Sequence, residues 1–358
     1  MNDDRLARLL EEMNERSIAN LWIEPSVDFF YLTGIEALSF ERLTGLLITS
    51  QGDMRLLVPL MLEKEFAGMA GRMETSAWND ASGPEEAAAT VLKGIDSLHV
   101  QGSLPMWAHH ALRSAGPGVA IELDPGTVAH LRERKDSDEL ERIRSSGELS
   151  DQVVEWVGTQ DVASMTEREL GGRIRARYLE LGHTPGEWAL VASGANAAMP
   201  HYSGEDVAIS NSSPLLTDFG ATVDGYWSDI TRVFFPRTLD QEIQDAYEVI
   251  CAAHDAAFGA AAVGVPCREV DRAARSVIEQ AGYGDQFIHR TGHGLGLELH
   301  EAPYITATND QPLEIGHVFT IEPGIYVSGR WGLRYENVVH LGEEGAEAIN
   351  NSPRHHYL

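Results

Sequence analysis

The chain has 358 residues and 43% apolar content, enough for two domains or one large one with a real core, which excludes a disordered tail. No window approaches the apolar run of a membrane helix, and Met1-Asn2-Asp3-Asp4-Arg5 lacks the basic start and apolar core of a signal peptide; a soluble, cytoplasmic protein with no membrane partner is expected. The formal net charge of -28 is spread along the chain as a solvated acidic surface, which repels nucleic acid.

An amphipathic helix carrying Leu6, Leu9, Leu10 and Met13 opens the chain, followed by strand-like pieces at 18–23, 43–49 and 54–59, the last two around a Gly52-Asp53 turn. Helical pieces near 60–68 and 84–95 alternate with strands near 98–100 and 119–123, which describes a compact α/β domain over residues 1–130. The charged stretch 130–139 reads as a linker running into a long helix with Leu140, Ile143, Val153, Val154 and Val157 on one side. A capping box, Thr166-Glu167-Arg168-Glu169, announces a second helix with Leu170, Ile174, Tyr178 and Leu181 at helical spacing and Gly182 as its stop. Two more helices follow at 239–263 and 266–282, within a second domain over residues 131–358. Cys251 and Cys267 lie in helix-like apolar surroundings and read as buried free thiols.

Two hairpins carry the chemistry. Asp218 and Asp229 stand eleven residues apart around Asp224-Gly225, and a turn over 222–225 would place them directly opposite each other on one face of the ribbon. Two carboxylates so close need either a shared proton or a cation between them. The second hairpin joins 319–327 to 333–339 through Ser328-Gly329-Arg330, with Glu322 and Glu336 symmetric about Gly329. A ribbon plus two helices, occurring twice, suggests two halves related by a pseudo-twofold with the acids at its axis. Between the halves, His289, His293 and His300 surround a glycine-rich turn whose spacing fits neither a dinucleotide fingerprint nor a phosphate loop. Four carboxylates and one imidazole form a hard, oxygen-rich donor set with room for two divalent cations, the arrangement of paired-metal hydrolases.

Asp218-x-Gly220, Gly225-Tyr226-x-Ser228-Asp229-x-Thr231-Arg232, Gly292-His293-Gly294-Leu295-Gly296 with His300-Glu301-x-Pro303, Ile321-Glu322-Pro323-Gly324-Ile325-Tyr326 and Arg334-x-Glu336 together resemble the signature of the pita-bread metallopeptidases. That family includes methionine aminopeptidase, aminopeptidase P and prolidase, and the five motifs cover the chain from about Asp136 onward in the family's order. The preceding α/β segment resembles the creatinase-like N-terminal domain that aminopeptidase P and prolidase carry. The fold class implied is therefore an α/β N-terminal domain followed by an α+β pita-bread catalytic domain with pseudo-twofold halves.

By this resemblance Asp218, Asp229, His293, Glu322 and Glu336 are the metal ligands, with Asp229 and Glu336 bridging two divalent ions, manganese ahead of cobalt, zinc or iron. Glu322 would also shuttle a proton, His201 and His300 would steady the scissile carbonyl and its oxyanion, and His289, Tyr326 and Arg334 would line the pocket for the prolyl residue. The implied activity is exopeptidase cleavage of Xaa-Pro bonds by a homodimer acting on peptides with proline second. Prolidase-type dipeptidase is the first reading, aminopeptidase P on longer peptides the alternative, and a non-catalytic binding protein on the same fold a third. The dipeptidase reading needs a group that reads a free carboxylate, either Arg334 or a basic residue of the N-terminal domain. Asn337, Val233 and Trp227 depart from the family pattern at positions that are not ligands. Elsewhere Asp224 reads as a turn residue, His254 as a partly buried side chain, and Trp22, Trp78, Trp107 and Trp156 as packing.

Overall fold

Short apolar strands alternating with amphipathic helices build the first of two units into which the chain divides, Met1–Arg132 and Glu133–Leu358. The computed structural model describes residues 2–38, 40–69, 71–202 and 206–358. The first unit runs α1 (Asp3–Glu15), β1 (Asn20–Ile23), α2 (Val27–Thr33), β2 (Gly45–Thr49), β3 (Met54–Pro59), β4 (Glu74–Trp78), α3 (Glu85–Val91), β5 (Ser97–Val100), α4 (Met106–Ala115), β6 (Ala120–Leu123) and α5 (Thr127–Glu133). Its strands form one sheet in the order β4-β3-β2-β1-β5-β6. Trp22, Leu47, Leu57 and Leu98 pack on Val91, Leu92 and Leu112 beneath it.

Periodicity missed α2, β4 and α4. The first is a seven-residue helix defined by its ends, a Ser26 cap and a left-handed Gly34, and β4 is largely exposed, so neither shows the expected alternation. The stretch at 60–68 forms a 3-10 helix, Glu63–Met69, and the charged stretch at 130–139 is not a free linker. It holds the end of α5 and the start of α6 (Ser137–Val157), where Asp136 and Glu139 form a reciprocal capping box. Trp22 and Trp78 are core residues, whereas Trp107 is exposed on α4.

The second unit continues with α7 (Glu167–Glu180), β7 (Thr184–Ser193), β8 (Leu215–Val223), β9 (Tyr226–Trp227), β10 (Ile230–Phe235), α8 (Gln241–Ala260) and α9 (Cys267–Gln280). Then come β11 (Gly292–Gly294), β12 (Glu301–Ile305), β13 (Val318–Ile321), β14 (Gly324–Val327), β15 (Trp331–Arg334), β16 (Asn337–Gly342), β17 (Gly345–Ala348) and β18 (His356–Tyr357). One half packs α6 and α7 on the sheet β18-β10-β8-β7, the other packs α8 and α9 on the sheet β12-β11-β13-β16-β17. Strand β10 is buried throughout and serves both halves by alternation. Ile230 and Phe234 face the first core, Val233 and Phe235 the second. Val233, a departure from the family pattern, is therefore an ordinary core residue. Cys251 and Cys267 are buried free thiols.

Glycine is forced where strands carrying site residues cross. A Cβ on Gly292 would stand 1.8 Å from the Thr320 carbonyl oxygen, and one on Gly220 would stand 2.0 Å from that of Ser228. Gly292→Ala is expected to cost about 1–3 kcal/mol of stability, since only backbone can yield there. Gly172→Ala in α7, where nothing lies within 4 Å and φ is helical, should instead stabilise by up to about 1 kcal/mol. Urea titration of both variants checks the contrast.

Candidate metal centre

The first hairpin turns on Asp224 and Gly225, with φ of 48° and 84°, the left-handed pair that a two-residue hairpin turn requires. Val223 pairs with Tyr226 and Asp218 with Thr231, so Asp229 falls level with Gly220 and not opposite Asp218. The direct opposition expected from the sequence is corrected to a diagonal. The turn sits one residue later than assumed, which shifts the register by two and leaves both acids on the same face.

The second hairpin keeps the expected symmetry. Ile321 pairs with Asn337 and Gly324 with Arg334, and between these two ladders the pairing lapses at Glu322 and Glu336, which face each other across the gap. The third contributor, His293, sits on β11 between β12 and β13. Its Nδ1 lies 3.0 Å from the Gly294 carbonyl oxygen, so Nδ1 carries the proton and the lone pair is on Nε2. Nε2 is 3.6 Å from Asp229 Oδ2 and 3.4 Å from Glu322 Oε1. Donor atoms of Asp229, His293 and Glu336 lie within 4.8 Å of one another. Bonds of about 2.1 Å to a shared cation place neighbouring ligand atoms roughly 3.0–3.5 Å apart, so this spacing fits a coordination shell.

Electrostatics point the same way. Burial, then the charges of Glu336, Asp218 and Glu322, hold the Asp229 carboxyl well above the usual range. Glu336 is raised likewise by burial, then by Glu322 and Asp218. Burial pushes Glu322 up to about 7, against the pull of Arg334. The acids crowd together with too little positive charge among them, which is the condition that a divalent cation relieves. His293 is held well below its ordinary value by burial and then by His300, and is neutral, as a ligand must be.

Polar neighbours fix three of the four acids. Thr231 Oγ1 donates to Glu336 Oε2 at 2.6 Å and Thr320 Oγ1 to Glu322 Oε1 at 3.2 Å. Asp218 accepts from Arg334 Nη2 at 2.5 Å and from Trp188 Nε1 at 3.3 Å. Arg334 also donates to Thr231 Oγ1 and to Tyr326 Oη, both at 2.8 Å. His289 Nδ1 donates to the Arg290 carbonyl, so its Nε2 accepts from the Tyr326 hydroxyl at 3.0 Å. Burial lowers the His289 imidazole to about 3, which leaves it neutral in this chain of bonds.

All of this opens on a cavity of about 850 Å³, whose wall includes Asp218, Asp229, His293, Glu322, Glu336, Arg334, His289, His201 and His300. Tyr326 lies buried behind His289 and Arg334. The His300 ring meets the edge of His293 with centroids 4.1 Å apart, and its basicity is lowered by burial and then by Arg290 and His201.

Several supporting residues had no signal in the sequence. From α6, Ser150 Oγ bonds Ser228 Oγ at 2.7 Å and Ser146 Oγ donates to the Ala221 carbonyl, pinning the first hairpin. From α9, Asp271 accepts from Thr291 while Arg275 donates to the Phe287 and His289 carbonyls, fixing the loop before His293. The wholly buried Arg232 donates to the Glu336 carbonyl and to Asn337 Oδ1, so the asparagine at 337 is matched by its partners, Arg232 and the Tyr335 hydroxyl. Trp227, the remaining departure, packs its ring against Trp188. His254 proves fully buried, with burial driving its imidazole down to about 3.

Two ribbons aim four carboxylates and a neutral imidazole into one cavity, and Asp229, His293 and Glu336 among them form a candidate metal site, on a scaffold with an α/β unit and an α+β unit. Residues 141–343 match Metallopeptidase family M24 and residues 5–134 match the Creatinase/Prolidase N-terminal domain, and the chain belongs to that metallopeptidase family. It is a peptidase. It is 36% identical over 355 residues to the probable dipeptidase PepE of Mycobacterium tuberculosis, covering 98% of this chain and 94% of that one. The crystal structure of a dipeptidase from Pyrococcus horikoshii OT3 superposes with a TM-score of 0.93 at 33% identity, covering 99% of both chains. That of a recombinant prolidase from Thermococcus sibiricus gives 0.94 at 32% identity, covering 100% of this chain and 99% of the other. No helix among the described residues is long and apolar enough to cross a membrane.

Protons and cations compete for these acids. Because Glu322 titrates near 7 when folded against 4.5 as an ordinary carboxyl, the cation-free fold binds more protons than the unfolded chain in that window. Its contribution to stability is full below 4.5 and is lost as pH rises through about 7. Manganese should therefore raise Tm more at pH 8 than at pH 5.5, checked by calorimetry with and without the ion.

Proposed function

We propose that the protein is an exopeptidase that uses two divalent cations, with manganese favoured, to cleave Xaa-Pro bonds, and that it acts on dipeptides. The observation that carries the metal dependence is the convergence of Asp218, Asp229, Glu322, Glu336 and the lone pair of His293 on one cavity wall. The substrate class is supported by the relatives described as prolidase and dipeptidase. A homodimer and a cytoplasmic location belong to the same proposal.

Asp218, Asp229, His293, Glu322 and Glu336 would hold the cations. When bound, the cations supply Lewis acidity, lowering the pKa of water and offsetting oxyanion charge. The chain's own groups do the rest. Glu322, on the cavity wall, accepts the proton of the attacking water and returns it to the departing prolyl nitrogen. His300 and His201, both on the cavity wall, donate hydrogen bonds to the scissile carbonyl oxygen and to the oxyanion that forms from it. His289, kept neutral and oriented by Tyr326 and the Arg290 carbonyl, packs with Arg334 around the prolyl ring.

Purified enzyme stripped with a chelator should lose Xaa-Pro hydrolysis and regain it with manganese, cobalt or zinc; turnover indifferent to chelation would contradict the proposal. His293→Ala and Asp229→Ala should each lower kcat/KM by more than about 100-fold while circular dichroism shows the fold retained. Either variant turning over at the wild-type rate would remove its residue from the ligand set.

A further inference from the structure

The role proposed for His300 asks for a fixed imidazole, and the side chain does little to fix itself. Among the described residues it makes no hydrogen bond and no ion pair, and its exposed ring meets the edge of His293 with the two planes at 90°. An imidazole without a polar partner is aimed by the main chain that carries it.

That main chain is the loop 295–300 between β11 and β12. Gly294 pairs with Glu301 at its base, and the Gly296 carbonyl accepts from the Trp227 amide at 2.8 Å. Glu301, the residue after His300, turns its carboxylate back towards the loop, with Oε2 3.4 Å from the Glu298 amide. The other oxygen, Oε1, accepts from Lys135 Nζ at 2.7 Å.

This ion pair is buried, its side chains 1% and 5% exposed, and the ammonium also donates to the Glu133 carbonyl at 3.4 Å. The fit is tight, for a Cβ on Gly296 would stand 2.7 Å from Glu301 Oε1 and 3.0 Å from Lys135 Cε. Lys135 is itself held by main chain, its amide donating to the Gly316 carbonyl at 2.9 Å while Arg134 pairs with His317 just ahead of β13, the strand that leads to Glu322. A buried ion pair is a poor source of stability, because desolvating both charges offsets most of their attraction and apolar residues of similar size often do as well. Its better use is to fix one arrangement among several.

We propose that Lys135 is a positioning residue for the oxyanion step: its buried ion pair with Glu301 clamps the 295–301 segment and so holds the adjacent His300 imidazole at the scissile carbonyl. This rests on the role proposed for His300 and adds to it the pair that aims the ring.

The experiment measures kcat, KM and bound manganese with Ala-Pro as substrate, for manganese-loaded wild type, Lys135→Met, Glu301→Gln, His300→Ala and the double variant Lys135→Met/His300→Ala. Lys135→Met should lower kcat by about 10- to 100-fold, the range of a misaligned catalytic group, with KM and manganese content near those of wild type. His300→Ala should lower kcat by at least as much, and the double variant should fall no further than His300→Ala alone. Glu301→Gln keeps the size of the side chain and an acceptor for the ammonium, so it serves where Lys135→Met fails to fold, and it should show a smaller loss of the same kind. Wild-type kcat in Lys135→Met, or in Glu301→Gln where only that variant folds, would overturn the assignment. So would an equal loss from Lys135→Met with and without His300, or a loss that follows manganese content, since a merely structural pair would give either. Wild-type turnover by His300→Ala would instead remove the role proposed for that histidine, and failure of wild type on Ala-Pro the Xaa-Pro proposal, each taking this inference with it.

Discussion

Mutual repulsion among buried carboxylates is the constraint around which the second unit is built. Unit charges about 4 Å apart repel by about 4 kcal/mol even at the moderate effective dielectric of a protein, and Asp229 and Glu336 are almost wholly buried. Arg334, the cation hydrogen-bonded within the cluster, pairs with Asp218 and leaves the others crowded. A fold that tolerates this without a cation does so by holding protons on its acids, and the raised proton affinities of Asp229, Glu322 and Glu336 record that. The strain is useful because it is relieved by the ions that the proposed chemistry needs.

Keeping four acids together requires a scaffold that cannot relax away from them. Each of these side chains but Asp218 sits where a ladder is bent or interrupted: Asp229 after the short β9, Glu322 and Glu336 in the gap between two hairpin ladders, and His293 beside the bulge that shifts the β11–β12 register. The freed positions are pinned by hydroxyls and buried arginines. Thr231 links Glu336 to Arg334, Arg232 holds the Glu336 carbonyl, and Ser150 holds the strand that leads to Asp229. These bonds come from elements distant in the chain, so the geometry of the cluster depends on the packed unit as a whole.

Much of the site was legible in the sequence because hairpins are local. The symmetry of Glu322 and Glu336 about Gly329 follows from spacing alone, and the Thr166 capping box appears as written. The register of the first hairpin was legible too, but the Asp-Gly pair had to be placed at the two central turn positions, and setting it one residue early turned a diagonal into an opposition. Spacing could not supply the tertiary layer. Trp188 beside Asp218, Asp271 and Arg275 beneath the histidine loop, and Arg290 on Tyr304 are defined by which elements meet. Helices α2 and α4 were missed for a simpler reason, being short pieces set by caps and packing and not by a long apolar period.

Where the cations bind decides between a metal-dependent peptidase and any other use of this cluster. Diffraction data collected on either side of the manganese absorption edge, from crystals grown with the ion, locate it directly. Two anomalous peaks are predicted, each within bonding distance of both Asp229 and Glu336, with Asp218 on one and His293 and Glu322 on the other. Peaks elsewhere, or none at saturating manganese, would contradict it.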